Sequence, residues 1–231
     1  MRRIGLVGGM SWESSALYYQ LVNEHVRDRL GGFHSALCTM ASVDFHDVEA
    51  LQAADDWDRA GELLAREAAA LEAGGAECLV LCTNTMHLVA DRITDAVSIP
   101  LLHIVDVAAD AIAAAGVTTV ALLATGYTMS SPLYPDRLAD RGIETIVPDA
   151  ADRETVHAII YDELVQGVVR DASRAAYVEV IDRLVERGAQ GVILGCTEIE
   201  LLVGQGDVDV PVFPTTALHA VAAVDFALAR G

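Results

Sequence analysis

The chain contains no lysine. All 15 of its basic residues are arginine, set against 34 acidic ones, for a formal net charge of −19. A pyridoxal-phosphate enzyme needs a lysine amine for its internal Schiff base, so that chemistry is excluded. A Walker-A loop needs its lysine at the phosphates and is excluded with it. The shortage of positive charge also argues against nucleic acid and anionic membrane surfaces as partners, since both recruit clustered cations. The four cysteines (Cys38, Cys78, Cys82 and Cys196) are too sparse for a disulfide framework and fit a reducing compartment. No segment approaches the roughly 18 uninterrupted apolar residues of a membrane span. The apolar stretch before Gly8 is too short for a signal peptide. Yet 53% of the residues are hydrophobic, ample for a core. The expectation is a soluble, cytoplasmic, globular protein.

Short apolar runs alternate with longer amphipathic ones. Strands are expected at residues 4–7, 36–43, 78–81, 101–104, 117–124, 144–147, 191–194 and 210–213. Helix-like stretches rich in Ala, Leu, Glu and Arg include 56–73, 105–115, 175–187 and 216–229, with Asp55 and Ser173 as candidate caps. This alternation predicts an α/β protein with parallel sheets flanked by helices. A weak internal duplication adds detail. Residues 75–83 (GAECLVLCT) align with 188–196 (GAQGVILGC), and 4–9 align with 120–125. Two pseudo-symmetric lobes are expected, residues 1–98 with 208–231 forming one and 99–207 the other. Ligands of open α/β sheets bind beyond the carboxyl ends of the strands. Thr83 and Cys196 are therefore expected on opposite walls of a cleft between the lobes.

Two segments carry the candidate chemistry. In Leu81-Cys82-Thr83-Asn84-Thr85-Met86-His87, an apolar strand ends in small polar residues and a helix follows, a natural carboxylate site made of N–H groups and hydroxyls. Asn84 and Thr85 supply further hydrogen bonds, although ordinary capping by Thr83 or Asn84 would produce the same pattern. Leu194-Gly195-Cys196-Thr197-Glu198 repeats the design with a thiol at its tip. Gly195 permits close backbone approach, the following helix dipole is expected to lower the thiol pKa, and Glu198 can orient the thiol or exchange protons with it.

Other chemistries find less support. Cys82 and His87 lack further ligands at metal-site spacing, so no metal is expected. A Cys–His hydrolase could pair Cys196 with His87, His103 or His219, but nothing local selects among them. The glycines of Gly5-Leu6-Val7-Gly8-Gly9-Met10 do not form a dinucleotide fingerprint. They read as a tight turn that lets a small ligand approach the backbone.

Taken together, Gly8-Gly9-Met10-Ser11-Trp12, Ser42-Val43-Asp44-Phe45, Cys82 through His87, Thr125-Gly126-Tyr127-Thr128-Met129 and Gly195 through Glu198 resemble the aspartate/glutamate racemase family along nearly the whole chain. The resemblance implies two pseudo-symmetric α/β lobes, a homodimer, a small amino-acid substrate and no cofactor. It also implies a pair of opposed residues, ordinarily cysteines, that remove the α-proton from one face and return one to the other. An α-proton is a very weak acid, so the protein must itself stabilise the carboxylate as it gains enediolate character. Asn84, Thr85 and Thr197 are the candidates for gripping that carboxylate, with the Met10 backbone and the hydroxyls of Thr125 and Thr128 completing the pocket. Gln52 is implied as a substrate contact by the resemblance alone.

The sequence departs from the family pattern twice. Thr83 stands where the first catalytic cysteine belongs, in agreement with the internal alignment, while Cys82 is expected to face the other side of its strand. A threonine hydroxyl is a far poorer base than a thiolate. Cys196 is therefore expected to abstract the proton and Thr83 to donate or relay one, with a preference for the L-enantiomer by analogy with this branch. The family's lysine for a distal carboxylate is also missing after Ile160-Tyr161, which leaves Arg59, another arginine or neutral groups to hold an acidic side chain. Competing assignments are a hydantoin racemase, an isomerase or decarboxylase of maleate or arylmalonate type on the same scaffold, and a two-lobed protein that binds a small carboxylate.

Overall fold

The computed structural model describes residues 1–229. In chain order the elements of the first half are β1 (Ile4–Gly8), α1 (Trp12–Leu30), β2 (Cys38–Ser42), α2 (Phe45–Ala53), α3 (Trp57–Ala73), β3 (Cys78–Leu81), a 3-10 turn (Thr85–Val89), α4 (Ala90–Thr94) and β4 (Leu101–Leu102). There follow α5 (Ile104–Ala114), β5 (Thr119–Ala124), α6 (Gly126–Met129), α7 (Leu133–Ala139), β6 (Glu144–Ile146) and α8 (Ala150–Asp162). After a 3-10 turn (Leu164–Gln166) come α9 (Asp171–Glu186), β7 (Val192–Gly195), a 3-10 turn (Ile199–Leu201), β8 (Val212–Pro214) and α10 (Thr215–Leu228).

All strands pair in parallel, in two four-stranded sheets of order β2-β1-β3-β4 and β6-β5-β7-β8. The two sheets have one topology, and their central registers correspond residue for residue. Val7 pairs with Leu81 in the first, as Leu123 pairs with Leu194 in the second. The internal alignment made the same equivalences, so the repeat is a repeat of structure.

The first compact unit comprises Met1–Ile104 and the chain from His219 onward. Its central strands β1 and β3 are buried throughout, as expected of parallel strands covered on both faces. Successive side chains point to opposite faces, and the packing follows that period of two. Leu79 and Leu81 enter a cluster with Val48 of α2 and Ala60, Leu64, Ala68 and Leu71 of α3. Cys78, Val80 and Cys82 enter the other, with Tyr18, Val22 and Val26 of α1 and Ala220, Ala223 and Val224 of α10. Each of the larger apolar side chains contributes about 1.5–3 kcal/mol by leaving water.

The second unit is Val105–Leu218. Here β5 and β7 are the buried central strands, and α8 and α9 pack on β5. From α9, Tyr177, Val180, Ile181 and Leu184 are turned into the interior, a spacing of three and four that defines one helical face.

The units divide at places other than residues 98/99 and 207/208. β4 hydrogen-bonds to β3, which keeps residues 99–104 in the first unit. β8 hydrogen-bonds to β7, which keeps 208–218 in the second. Strand pairing over long sequence separations decides both, and local composition carries no trace of it. Two caps also move by a few residues. Asp56, not Asp55, accepts from the Arg59 N–H at the start of α3 (3.2 Å). Ser173 lies inside α9, whose N-cap position is Arg170. No helix among the described residues is long and apolar enough to cross a membrane.

Candidate active site

The candidate residues gather at the carboxyl ends of the central strands, in one cluster per unit. In the first unit, β1 runs into Gly9, whose φ of 98° lies in the left-handed region. A Cβ there would overlap the backbone of Val43, and one on Gly8 would meet Ser15. These glycines are therefore required by the close approach of Ser15 and Val43. Ser15 Oγ accepts from the Gly9 N–H (2.7 Å) and donates to the Ser11 carbonyl (2.8 Å), while Ser11 caps α1 by accepting from the Ser14 N–H (3.2 Å). Met10 sits on this brace and is buried.

The loop after β3 begins with Cys82, fully buried in the α1 and α10 cluster. Burial pushes its thiol far above the usual cysteine range. Thr83, one residue on, is only partly buried, whereas Asn84 is buried. Asn84 occupies the N-cap position of a 3-10 turn but makes no side-chain cap bond, and Thr85 is the first residue of that turn. The capping role open to Asn84 is thus not what holds its amide.

A residue that the sequence had suggested only for another role anchors this loop. His87 Nδ1 lies 2.8 Å from the Thr83 carbonyl, and the Ile104 N–H points at Nε2 from 3.3 Å. A carbonyl can only accept, so Nδ1 carries the proton and the ring is neutral. Burial holds its pKa well below the usual histidine value, aided by His103 and His219, whose ring centroids lie 4.7 and 5.7 Å away. His219 is likewise committed, donating from Nε2 to the Leu102 carbonyl (2.7 Å) and accepting at Nδ1 from the Tyr18 hydroxyl (2.9 Å). Burial lowers its pKa to about 4. Both rings spend both nitrogens on structure, which removes them as partners for a Cys–His hydrolase.

Gln52 on α2 is buried, and its amide donates to the Met86 sulfur (2.8 Å). Arg59 points to solvent beside Asp56 (3.6 Å) and is 73% exposed, so it does not line this cluster.

In the second unit, β7 ends at Gly195, where a Cβ would press on Ala124 and Leu122 of β5 at 3.1 Å. Only glycine permits that strand spacing beside the next residue, Cys196. The thiol is 8% exposed and donates to Glu198 Oε2 at 3.0 Å. Its pKa is raised well above the usual value, first by burial, then by the charge and hydrogen bond of Glu198. The N–H groups of Glu198 and Ile199 pull it down, in the direction that a helix N-terminus was expected to act, but they are outweighed. The helix after Cys196 is only a three-residue 3-10 turn, too short for an appreciable dipole. The expected lowering is thus reversed.

Thr197 is buried with its Oγ1 3.3 Å from that of Thr216. On the loop after β5, Thr125 caps α6 by accepting from the Thr128 N–H (3.4 Å), and its hydroxyl bonds the Thr128 hydroxyl (3.3 Å). Thr128 is fully buried. The Gly126 N–H of the same loop donates to His157 Nδ1 on α8 (3.1 Å). Among the described residues no His, Cys, Asp and Glu side chains are grouped to hold a metal ion.

One sheet order recurs in each unit, with a thiol–carboxylate pair after a central strand of one and an Asn-Thr loop after the equivalent strand of the other. The Asp/Glu/Hydantoin racemase family profile matches residues 7–223, and the chain belongs to that family. Its racemases are isomerases. A candidate Asp/Glu racemase from Yersinia pestis is 52% identical and superposes with a TM-score of 0.94, over 99% of this chain and 100% of the other. An aspartate racemase homologue from Pyrococcus horikoshii OT3 is 33% identical with a TM-score of 0.88, over 98% of this chain and 99% of that one. The aspartate racemase of Picrophilus torridus, at 18% identity and a TM-score of 0.77 over 98% and 94% of the two chains, shares the fold.

Proposed function

We propose that this chain is a cofactor-independent amino-acid racemase in which Cys196 takes the α-proton and Thr83 supplies or relays the one that returns. The observation that carries the assignment is the Cys196–Glu198 pair, a buried thiol donating to a carboxylate at 3.0 Å. An environment that opposes ionisation makes the thiolate, once formed, a stronger base, which suits so weak an acid as an α-C–H bond. Glu198 is placed to receive the thiol proton as the substrate arrives. Thr83 occupies the equivalent place after β3, and Cys82 is buried away from it.

Asn84, Thr85 and Thr197 are assigned to the substrate carboxylate, with the Met10 backbone and Thr125, braced by Thr128. As the carboxylate gains enediolate charge, preorganised donors stabilise it without reorganising, commonly the largest single contribution to such catalysis. Gln52 keeps its place as a substrate contact because a thioether is a weak acceptor, easily exchanged for a substrate oxygen. A threonine in the first position cannot act as a strong base, so one enantiomer is preferred, the L form by analogy with this branch of the family. With Arg59 turned to solvent, another arginine or neutral donors are left for a distal side chain.

The test is α-deuterium exchange and D-product formation with a panel of L-amino acids in D₂O, followed by NMR and chiral chromatography. Wild type exchanges and Cys196→Ser loses exchange. Thr83→Cys gains activity toward the D-enantiomer. Retained exchange in Cys196→Ser, or an unaltered enantiomer preference in Thr83→Cys, overturns the mechanism.

A further inference from the structure

A short row of polar atoms leads away from Thr197. Thr216, the second residue of α10, is fully buried and shares a hydrogen bond with Thr197, Oγ1 to Oγ1, at 3.3 Å. Its backbone N–H donates to Glu200 Oε1 at 2.8 Å, and its hydroxyl faces the same carboxyl group and favours the charged form. Capping of α10 would account for the N–H contact alone. It does not account for a hydroxyl shared between Glu200 and Thr197.

The hydroxyl of Thr216 has one hydrogen and two neighbours that can accept it. An ionised carboxylate is the stronger acceptor and takes it. The contact with Thr197 then needs Thr197 as donor, and the Thr197 hydrogen is turned inward. A protonated Glu200 instead donates to Thr216, Thr216 donates to Thr197, and the Thr197 hydrogen is left for an outside acceptor. Such a row, with every bond running one way, is mutually reinforcing.

We propose that Glu200, acting through Thr216, is a positioning residue for Thr197. Its protonated form leaves the Thr197 hydroxyl free to donate to the substrate carboxylate, and its ionised form withdraws that donor. This rests on the assignment of Thr197 to the substrate carboxylate.

Burial raises the Glu200 carboxyl to about 7, with the Glu198 charge adding to the rise. The N–H and hydroxyl of Thr216 and the N–H of Ala217 act the other way. The remaining ionisable group facing it is the Tyr134 phenol of α7, which burial keeps neutral. No arginine among the described residues ion-pairs with Glu200. The sign follows from the raised pKa. Below about 7 the group is protonated and Thr197 is available, and above it a substrate must bring a proton to Glu200 to bind equally well.

The test measures KM and kcat separately, by α-deuterium exchange of the L-amino acid turned over fastest, from pH 5.5 to 8.5. Wild-type KM is flat at acid pH and climbs above neutrality, approaching about tenfold per pH unit. In Glu200→Gln, whose amide donates to Thr216 at every pH, KM stays low and flat. Thr216→Val gives a raised KM that is flat, and Thr216→Ser restores the wild-type profile. A Glu200→Gln profile parallel to wild type overturns the relay, as does a rising KM in Thr216→Val, which would mean that the charge acts through space. The Thr216 pair carries the test should Glu200→Gln fail to fold. Exchange in none of the proteins overturns the racemase assignment and the relay together. Exchange with parallel KM profiles overturns the relay alone.

Discussion

Replacing Glu198 by glutamine tests the centre of the proposed chemistry. The structure gives two reasons for the high thiol pKa of Cys196, burial first and the Glu198 carboxylate second. Glutamine keeps the size of the side chain and removes its charge, so burial remains and the second cause vanishes. With Sγ and Oε2 in contact at 3.0 Å, the centres of charge lie about 4 Å apart. At an effective dielectric of about 20, two like charges at that distance repel by about 4 kcal/mol. A fall in the thiol pKa is therefore expected, smaller than this repulsion alone would give, since water and local dipoles screen part of the charge and burial still acts. The assay is the pH dependence of iodoacetamide alkylation, with modification at Cys196 read by mass spectrometry. Reading by site separates Cys196 from the half-buried Cys38, while Cys78 is pushed up to about 12 by burial and Cys82 higher still. A Cys196 pKa that is unchanged or higher in Glu198→Gln would refute the thiol–carboxylate pairing and the proton acceptor assigned to it.

Cys82→Ala should leave α-deuterium exchange within about twofold of wild type while lowering stability by about 1–2 kcal/mol, because it empties a small volume in the α1 and α10 cluster. Denaturant unfolding and the exchange assay check the two halves, and lost exchange in a folded protein would return Cys82 to the mechanism. Gly9→Ala should destabilise by more than the roughly 1–2 kcal/mol of a left-handed non-glycine residue, since its Cβ also meets the Val43 backbone. A thermal midpoint equal to wild type would show that the turn after β1 is not built as described.

Much of the architecture was legible along the chain because buried parallel strands are short apolar runs with abrupt polar ends. Cys78–Leu81 is legible to the residue, and the match of residues 75–83 with 188–196 makes Thr83 the equivalent of Cys196, as the strand registers do. The shorter edge strands were less clear. Residues 101–104 read as one strand, yet β4 stops at Leu102 and α5 starts at Ile104, since so short a stretch, apolar but for His103, suits either state. The site was legible in its residue types and not in its electrostatics. The N–H groups after Cys196 do lower its pKa, as the sequence suggested, but burial and a carboxylate two residues on outweigh them.

The sequence by itself determined the two repeated α/β halves, and its lack of lysine set the expectation of a chemistry without pyridoxal phosphate. These depend on residue identity and on local pattern, which need no partner from elsewhere in the chain. Tertiary structure alone decided where the units divide, because β4 and β8 take their places by pairing with distant strands. It alone committed both nitrogens of His87 to the Thr83 loop and Ile104, and set Glu200 against Thr216. A proton's position depends on which groups surround it and how much water is excluded, and the fold brings those groups together from separate stretches of the chain.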